Sequence, residues 1–237
     1  MPLVLASASP RRSELLTQAG YTFSVHPAHI PEDPLPDEDP IAYVVRLARQ
    51  KAETVFAEIT TLGAPGPDFG TWESTDPNSN KTPHGLSVLG ADTTVVIDNE
   101  AVFPAIAGVL ASEKRAPAAP QILAKPIDAA DAVRMLRLLS GRTHRVITGV
   151  AVVTAQHTEV AAEVTGVRFL TLSEEEIAAY IATGEPMDKA GAYAIQGRAA
   201  RWIPRITGDY FNVVGLPLAL VSTMLESVEM NPNSPSS

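Results

Sequence analysis

The spacing of apolar residues along the chain predicts a mixture of buried strands and amphipathic helices. Leu3–Ala6 and Ser87–Ile97 are nearly continuous apolar runs, which is typical of strands buried on both faces. After Asp39-Pro40, apolar residues recur every three or four positions, which predicts a helix with one buried stripe. The stripe consists of Ile41, Val44, Val45, Ala48, Ala52, Val55 and Phe56. Lys51 falls at the margin of this stripe, so its side chain can lean over the buried face.

Residues that start and stop helices divide the rest of the chain into further elements. Helices are predicted from Pro10 to Gly20, after Asp128 to Leu139, from Glu174 to Thr183 behind a Ser173/Glu176 capping box, and from Pro217 to about Val228. Strands are predicted at Val146–Val153, Val160–Phe169, Ala190–Gln196 and Trp202–Ile206. Because some strands follow each other directly, we expect an α/β fold with a mixed sheet flanked by helices.

Two irregular segments interrupt this pattern. Residues 62–86 are rich in Gly, Pro, Ser, Thr and Asn, and residues 101–121 are rich in Ala and Pro. We interpret both as insertions in a single domain over residues 1–228, which a disordered tail at 229–237 follows.

Composition narrows the class of protein. The 237 residues are 45% hydrophobic, which is enough for a sizeable core, and the absence of cysteine excludes disulfides, thiolate metal sites and a cysteine nucleophile. The formal net charge of −9 argues against binding to nucleic acid. The first arginines follow the first apolar run, the reverse of a secretory signal, and no run approaches the roughly 20 apolar residues of a membrane span. We therefore expect a cytoplasmic protein that binds no membrane.

Hydroxyl and basic residues cluster where the first predicted strand meets the first helix. Ser7 and Ser9 are followed by Arg11 and Arg12 in the first helical turn. A helix N-terminus binds anions, and arginines there oppose the helix dipole unless an anion is also present. The pattern therefore predicts an anion site, and the alternative is a capped surface helix with solvated arginines.

Other polar residues stand out against their surroundings. Asp92 is the one carboxylate in an apolar strand and must be paired or neutralised, which favours metal binding or base catalysis over a bond to loop backbone. Lys125 and Lys189 are candidate phosphate ligands, because lysine binds phosphate as a point charge, although either can be a solvated side chain. The histidines lack metal-ligand spacing, and His144, just before a strand, is interpreted as structural.

Seven ordered segments resemble the Maf family of nucleoside triphosphate pyrophosphatases. They are LASASPRRSELL, VVRLARQKA, GADTTVV, LAKP, LRLLSGRTHRVITGVAVV, GEPMDKAGAYAIQG and GDYFNVVGLPL, and they span about Leu3 to Leu225. The resemblance implies the fold of inosine triphosphate pyrophosphatases, an elongated mixed sheet with two lobes around a cleft. It also implies hydrolysis between the α- and β-phosphates with Mg²⁺ or Mn²⁺, and homodimers are common in that family.

The resemblance also implies roles for particular residues. Asp92 matches the proton acceptor, and Glu32 matches a glutamate near the metal. The positions expected to hold phosphates are Ser7, Arg12, Lys51 and Lys125. The positions that match the dTTP/UTP branch are Arg11, Thr93 and Gln196. A glutamine amide offers a donor and an acceptor, which suits the N–H between two carbonyls in thymine and uracil.

We therefore expect an enzyme that splits dTTP and UTP into the monophosphate and pyrophosphate. One alternative is a pyrophosphatase for modified nucleotides. Another is a non-catalytic nucleotide-binding regulator of cell division, which would share the basic cluster but would not need Asp92. Residues 62–86 and 101–121 depart from the family pattern, and both flank the strand of Asp92.

Overall fold

A computed structural model of the chain describes residues 2–62, 85–98 and 120–230. The predicted tail and most of the two predicted insertions lie outside these residues. Within them, the strands are β1 (Leu3–Leu5), β2 (Phe23–Val25), β3 (Ser87–Ile97), β4 (Gln121–Leu123), β5 (Thr143–Val153), β6 (Thr158–Arg168) and β7 (Arg205–Thr207). The α-helices are α1 (Pro10–Gln18), α2 (Pro40–Leu62), α3 (Ala129–Leu139), α4 (Glu174–Ile181), α5 (Tyr210–Val214) and α6 (Leu218–Met230). Short 3₁₀ helices occur at Glu185–Asp188, Ala190–Ala192 and Arg198–Trp202.

The described strands form a mixed sheet in the order β2-β1-β3-β5-β6-β7, with β4 paired to β3. Strand β1 lies parallel to both β2 and β3, so that Leu5 is opposite Val25 on one side and Leu89 on the other. Strand β4 runs antiparallel to β3, and β7 runs antiparallel to β6. The prediction of an α/β fold with a mixed sheet and flanking helices is confirmed.

The chain folds into two compact units. The first comprises residues 1–93, 147–164 and 209–237, and the second comprises residues 94–146 and 165–208, so far as these residues are described. In the ranges that the structure covers, no helix is both long enough and apolar enough to span a bilayer.

Helix α2 packs directly on the sheet in the first unit. Its start follows the predicted cap, since Asp39 Oδ1 accepts the backbone N–H groups of Ile41 and Ala42 at 2.9 and 3.2 Å. A methyl group at Gly90 on β3 would lie 2.2 Å from the carbonyl oxygen of Ala48, so only glycine allows the helix backbone to come this close. Buried residues at this interface include Val4, Ala48, Ala52, Val55, Val88 and Ala151.

The predicted stripe of α2 is buried at Val44, Ala48, Ala52 and Val55, whereas Val45 and Phe56 are half-buried and Ile41 is exposed. Ile41 is 40% exposed, because it lies in the first turn of the helix, before the turns that cover the sheet. Lys51, predicted at the margin, is only 6% exposed, and its ammonium therefore needs partners inside the protein.

Three aromatic rings form the centre of the second unit. His144, Phe169 and Tyr193 pack edge to face with ring centroids 4.8 to 5.3 Å apart. His144 is 1% exposed and its Nε2 lies 2.8 Å from the Tyr193 hydroxyl. Burial lowers the pKa of His144 to about 3, so the ring stays neutral at physiological pH. These contacts agree with the structural role predicted for His144.

The start signals of two helices in the second unit act as predicted. Asp128 caps α3 by accepting the backbone N–H of Asp131 at 2.7 Å. Ser173 and Glu176 form the reciprocal capping box of α4. In the first unit, by contrast, Ser9 occupies the N-cap position of α1 but makes no side-chain capping bond.

The predicted strand at Ala190–Gln196 is wrong, and the one at Trp202–Ile206 is right only at Arg205 and Ile206, which lie in β7. Gly191 and Ala192 have φ values of +69° and +58°, and this left-handed backbone cannot continue a strand. A methyl group at Gly191 would lie 2.8 Å from Val95 Cγ2, so the turn is packed too tightly for a side chain. Trp202 ends a 3₁₀ helix, and the strand of this region begins later, at Arg205.

Candidate active site

Asp92 and Lys51 form a buried ion pair in the first unit. Asp92 lies on β3 and is 8% exposed. Lys51 extends from α2, and its Nζ donates to Asp92 Oδ1 at 2.7 Å. The close packing of α2 at Gly90 brings the lysine within reach of this carboxylate. This contact meets the expectation that Asp92 must be paired, hydrogen-bonded or neutralised, and Lys51 leans over the buried face as its place at the margin allows.

Glu32 supplies a second carboxylate to the same ammonium. Its Oε1 lies 2.5 Å from Lys51 Nζ, and its side chain is 47% exposed, whereas that of Lys51 is 8% exposed. Two carboxylates and one ammonium leave this trio with a net negative charge. One oxygen of Asp92 and one of Glu32 converge on the position of the Lys51 ammonium, and solvent reaches this position from the Glu32 side.

Tyr43 holds the segment that carries Glu32. The Tyr43 hydroxyl donates to the backbone carbonyl of Glu32 at 2.8 Å. Burial, together with the negative charges of Asp92 and Glu32, raises the pKa of Tyr43 to about 12. The hydroxyl therefore remains a donor at any physiological pH, and the Glu32 backbone stays attached to α2.

Arg12 is buried and hydrogen-bonded on several sides. Its Nε donates to the carbonyl of Gly215 at 2.8 Å, and its Nη1 donates to Ser7 Oγ at 3.1 Å and to the carbonyl of Ala91 at 2.8 Å. Its Nη2 donates to Thr93 Oγ1 at 3.1 Å. Residues from both ends of the chain thus meet at one guanidinium.

Burial lowers the pKa of Arg12 below its ordinary value, and the negative charge of Asp92 partly offsets this effect. The alternative of two solvated arginines is therefore wrong for Arg12, whereas Arg11, in the same turn, is partly exposed. Ser7 is 6% exposed and also accepts the backbone N–H of Ser9 at 3.2 Å. The structure brings Ser7, Arg12 and Thr93 together, as expected of neighbouring site residues.

The network continues to two residues that sequence reasoning missed, Thr148 and Asn212. Thr148 on β5 is fully buried, and its Oγ1 lies 2.9 Å from Thr93 Oγ1. The same hydroxyl donates to the backbone carbonyl of Asn212 at 3.1 Å. A hydroxyl within the apolar run of β5 is the one signal in the sequence that marks Thr148, since a buried hydroxyl needs a partner.

The remaining predicted site residues belong to the second unit. Lys125 follows β4 and is exposed. Lys189 is an internal ion-pair partner, since its Nζ donates to Asp188 Oδ1 at 2.5 Å and to the carbonyl of Glu185 at 3.1 Å. Gln196 is exposed, and its amide is available to a ligand.

The turn that carries Gln196 is fixed on both sides. The Tyr180 hydroxyl accepts the backbone N–H of Ala194 at 3.1 Å and donates to Glu185 Oε1 at 2.8 Å. Glu185 Oε1 in turn accepts the backbone N–H of Arg198 at 3.1 Å. An exposed amide thus sits on a rigid turn, which suits a group that recognises a ligand.

The carboxylates around Asp92 meet part of what a divalent cation requires. In the ranges described, no group of three or more His, Cys, Asp or Glu side chains is placed to hold a metal ion. Asp92 and Glu32 nevertheless aim two hard oxygen donors at one cation, the Lys51 ammonium. Mg²⁺ is commonly held by one or two carboxylates together with substrate phosphates, so this donor set fits such an ion.

The arrangement in the first unit combines groups that can hold a cation and accept a proton. It offers a carboxylate that can accept a proton, an ammonium that can change partners, and a second carboxylate at the solvent side.

The model of the Maf-like protein family matches residues 2–228, and the chain belongs to this family. The resemblance noted in the sequence is therefore confirmed.

Several curated relatives are similar to the chain over most of its length. The dTTP/UTP pyrophosphatase of Koribacter versatilis is 46% identical over 225 residues, which cover 95% of this chain and 93% of the relative. The dTTP/UTP pyrophosphatase of Geobacter sulfurreducens is 46% identical over 221 residues, 92% of each chain. The protein of the same name from Salmonella typhimurium is 43% identical over 216 residues, 91% of this chain and 87% of the relative.

Proposed function

We propose that this chain is a pyrophosphatase that hydrolyses dTTP and UTP to the nucleoside monophosphate and pyrophosphate. Two kinds of observation support this proposal. Relatives that carry this name are 43 to 46% identical over more than nine-tenths of the chain. The observation that carries the chemistry is the Lys51 ammonium between Asp92 and Glu32.

Neutralisation of phosphate charge is the first task of such an enzyme. A triphosphate carries roughly four negative charges, and catalysis of phosphoryl transfer depends on positioning and charge stabilisation. The Lys51 ammonium can exchange its ion pair with Asp92 for one with a phosphate oxygen, because the four-carbon side chain is flexible. This exchange leaves Asp92 free to accept a proton. Further substrate ligands are proposed: Ser7, Arg11 and Lys125 on the family resemblance, and Lys189 because lysine binds phosphate as a point charge.

Asp92 is the proposed general base. It accepts a proton from a water molecule, whose oxygen forms a bond to the α-phosphorus. The bond between the α-phosphorus and the bridging oxygen breaks, and its electron pair leaves with pyrophosphate. Asp92 then returns its proton to solvent. A positioned base of this kind typically contributes about 10²- to 10⁴-fold to the rate.

Asp92 and Glu32 would hold a Mg²⁺ or Mn²⁺ ion, as their two converging carboxylates fit one. Such an ion, when bound, supplies further neutralisation of phosphate charge. Lys51 would then give up its place between the carboxylates, in keeping with its transfer to phosphate.

Base recognition is proposed for Arg11, Thr93 and Gln196. Uracil and thymine present an N–H between two carbonyls, and a glutamine amide can donate to a carbonyl and accept from the N–H. Cytosine lacks that N–H, so it would leave the carbonyl oxygen of the Gln196 amide unpaired. An unpaired group of this kind costs about 1 to 3 kcal/mol, which is enough for selection.

The test is pyrophosphate release from dTTP, UTP, CTP, GTP, dGTP and ITP, with Mg²⁺ or Mn²⁺, by wild type and Asp92→Asn. We expect wild type to prefer dTTP and UTP, and Asp92→Asn to lose about 100-fold or more. Asp98→Asn is the matched control, because Asp98 forms an exposed ion pair with Arg145. Full activity of Asp92→Asn contradicts the proposed mechanism. Nucleotide binding without turnover indicates the regulator, and a preference for ITP, a deaminated nucleotide, over dTTP and UTP indicates the pyrophosphatase for modified nucleotides.

A further inference from the structure

Arg12 has committed most of its hydrogen-bonding capacity to the protein itself. A guanidinium carries five N–H donors. The Nε donor bonds to Gly215, the two Nη1 donors bond to Ser7 and Ala91, and one Nη2 donor bonds to Thr93. Among the residues that the structure describes, four of the five donors therefore have an acceptor, and one N–H on Nη2 remains.

This distribution blocks the bidentate grip by which arginine binds phosphate. A fork on phosphate requires two parallel N–H groups, either Nε with one terminal nitrogen or the two terminal nitrogens together. The donor of Nε is used, and so are both donors of Nη1. In each pair of parallel N–H groups, Nε with Nη2 or Nη1 with Nη2, one member already bonds to the protein. A ligand can therefore accept a single hydrogen bond, from the remaining N–H of Nη2.

The acceptors of Arg12 lie on both sides of Asp92. Ala91 precedes Asp92 on β3 and is held through its carbonyl, and Thr93 follows it and is held through its hydroxyl. Ser7 and Gly215 attach the same guanidinium to the end of β1 and to the residue that follows α5. Arg12 therefore fixes the stretch of strand from which the Asp92 carboxylate projects.

Thr148 extends this network in a defined direction. Arginine only donates hydrogen bonds and a carbonyl only accepts them. Arg12 therefore donates to Thr93, Thr93 donates to Thr148, and Thr148 donates to the carbonyl of Asn212. The other direction would need Thr93 to donate to the Gly215 carbonyl at 3.4 Å, and the Asn212 carbonyl would lose its bond from Thr148. The first arrangement uses the shorter contacts and satisfies every hydroxyl.

We propose that Arg12 is a positioning residue, which with Thr93 and Thr148 holds Asp92 in place for attack on the substrate. It does not grip a phosphate in bidentate fashion. The kinetic part of this inference rests on the proposed function, whereas the pyrophosphate-binding part below does not. Arg12 thereby differs from Lys51, whose ammonium is free to change partners.

The first experiment compares wild type with Arg12→Lys, which keeps the charge but cannot reproduce the four-way network. We expect kcat for UTP to fall about 100-fold, since a misplacement of about 1 Å in a reacting group has an effect of that size. We expect KM for UTP, and the affinity for inorganic pyrophosphate measured by calorimetry, to change less than about threefold. Loss of pyrophosphate affinity by tenfold or more, with a matching rise in KM, overturns the proposal and makes Arg12 a phosphate ligand.

The second experiment uses Thr148→Val and Thr148→Ser, in case Arg12→Lys fails to fold. Valine has nearly the shape of threonine but removes the hydroxyl, whereas serine keeps it. We expect Thr148→Val to lower kcat about fivefold at constant KM, in line with the loss of one hydrogen bond, and Thr148→Ser to restore it. Equal activity of the two variants contradicts the network. If wild type hydrolyses no triphosphate, the proposed function fails, and the pyrophosphate affinities alone decide the role of Arg12.

Discussion

The surroundings of Asp92 in the first unit and the turn that carries Gln196 in the second use polar groups in opposite ways. Around Asp92, the groups proposed to act are bonded to one another, as Lys51 is to both carboxylates, and Asp92 and Lys51 are themselves buried. In the turn, the supports Tyr180 and Glu185 bond to each other and to backbone, while the Gln196 amide faces solvent. In the first region the residues proposed to carry the chemistry also hold the fold, whereas in the second the residue proposed to bind the base is supported by others. Substitutions should therefore change stability and activity together in the first region and separately in the second.

Lys51→Met should have the largest effect and tests the coupling in the first region. It leaves Asp92 and Glu32 without their shared cation, and an unpaired buried group costs about 1 to 3 kcal/mol. We expect that loss in urea unfolding, together with a loss of pyrophosphate release of about 100-fold or more. The control is Arg49→Met on the same helix, because Arg49 pairs with Glu53 at the surface. An inactive Lys51→Met variant that is as stable as wild type would break the comparison.

Acid should weaken the second region through His144. Its pKa in the folded state is about 3, against an ordinary value of 6.5. Between these pH values the histidine is protonated in the unfolded chain but neutral in the folded one. The stability from neutral His144 is therefore complete above pH 6.5 and is lost as the pH falls toward 3. Between pH 7.5 and 5.5 this amounts to about 1.4 kcal/mol.

The measurement is urea unfolding at the two pH values for wild type and His144→Gln. Other groups titrate in both proteins, so the difference between their pH dependences isolates this histidine. We expect the variant to lose about 1.4 kcal/mol less than wild type over the interval. Equal losses would mean that His144 is protonated in the folded protein.

A matched pair of tyrosine substitutions has the smallest expected effect and sharpens the comparison most. Tyr43→Phe and Tyr180→Phe each remove one phenol hydroxyl, worth about 1 kcal/mol or a fivefold change in rate or affinity. Tyr43→Phe releases the Glu32 backbone and should lower kcat for UTP and CTP alike. Tyr180→Phe loosens the Gln196 turn and should lower the preference for UTP over CTP while kcat for UTP holds. If both variants change the same kinetic parameter, the proposed division between the regions is wrong.

Elements with a strong local signal could be predicted from the sequence. Strand β3 has the predicted bounds, Ser87–Ile97, because its apolar run is bounded by polar residues, and α4 begins at its capping box. Strand β2 and helix α5 were not predicted. Strand β2 is only three residues long, and α5 spans five, too few to show a helical period.

The composition of the candidate site could be predicted better than its connections. Asp92 and Lys51 stand out as charged residues in apolar contexts, and the family resemblance adds Glu32. The bonds of Arg12 to Gly215 and of Thr93 to Thr148 join residues 203 and 55 positions apart, and no local pattern encodes such pairs. A short sequence motif likewise cannot distinguish an arginine that holds a ligand from one that holds its own fold.

The contact between α2 and β3 also limits how the molecule can move. With the Ala48 carbonyl pressed against the Cα of Gly90, the helix has no clearance to slide along the strand or to roll on it. Lys51, three residues further along, must therefore exchange a carboxylate for a phosphate by rotating its own side-chain bonds. Such rotations take picoseconds to nanoseconds where there is room for them, whereas shifts of helices and domains take microseconds to milliseconds. In the proposed mechanism, the exchange that frees Asp92 would thus need no movement of the helix, only rotation of the Lys51 side chain.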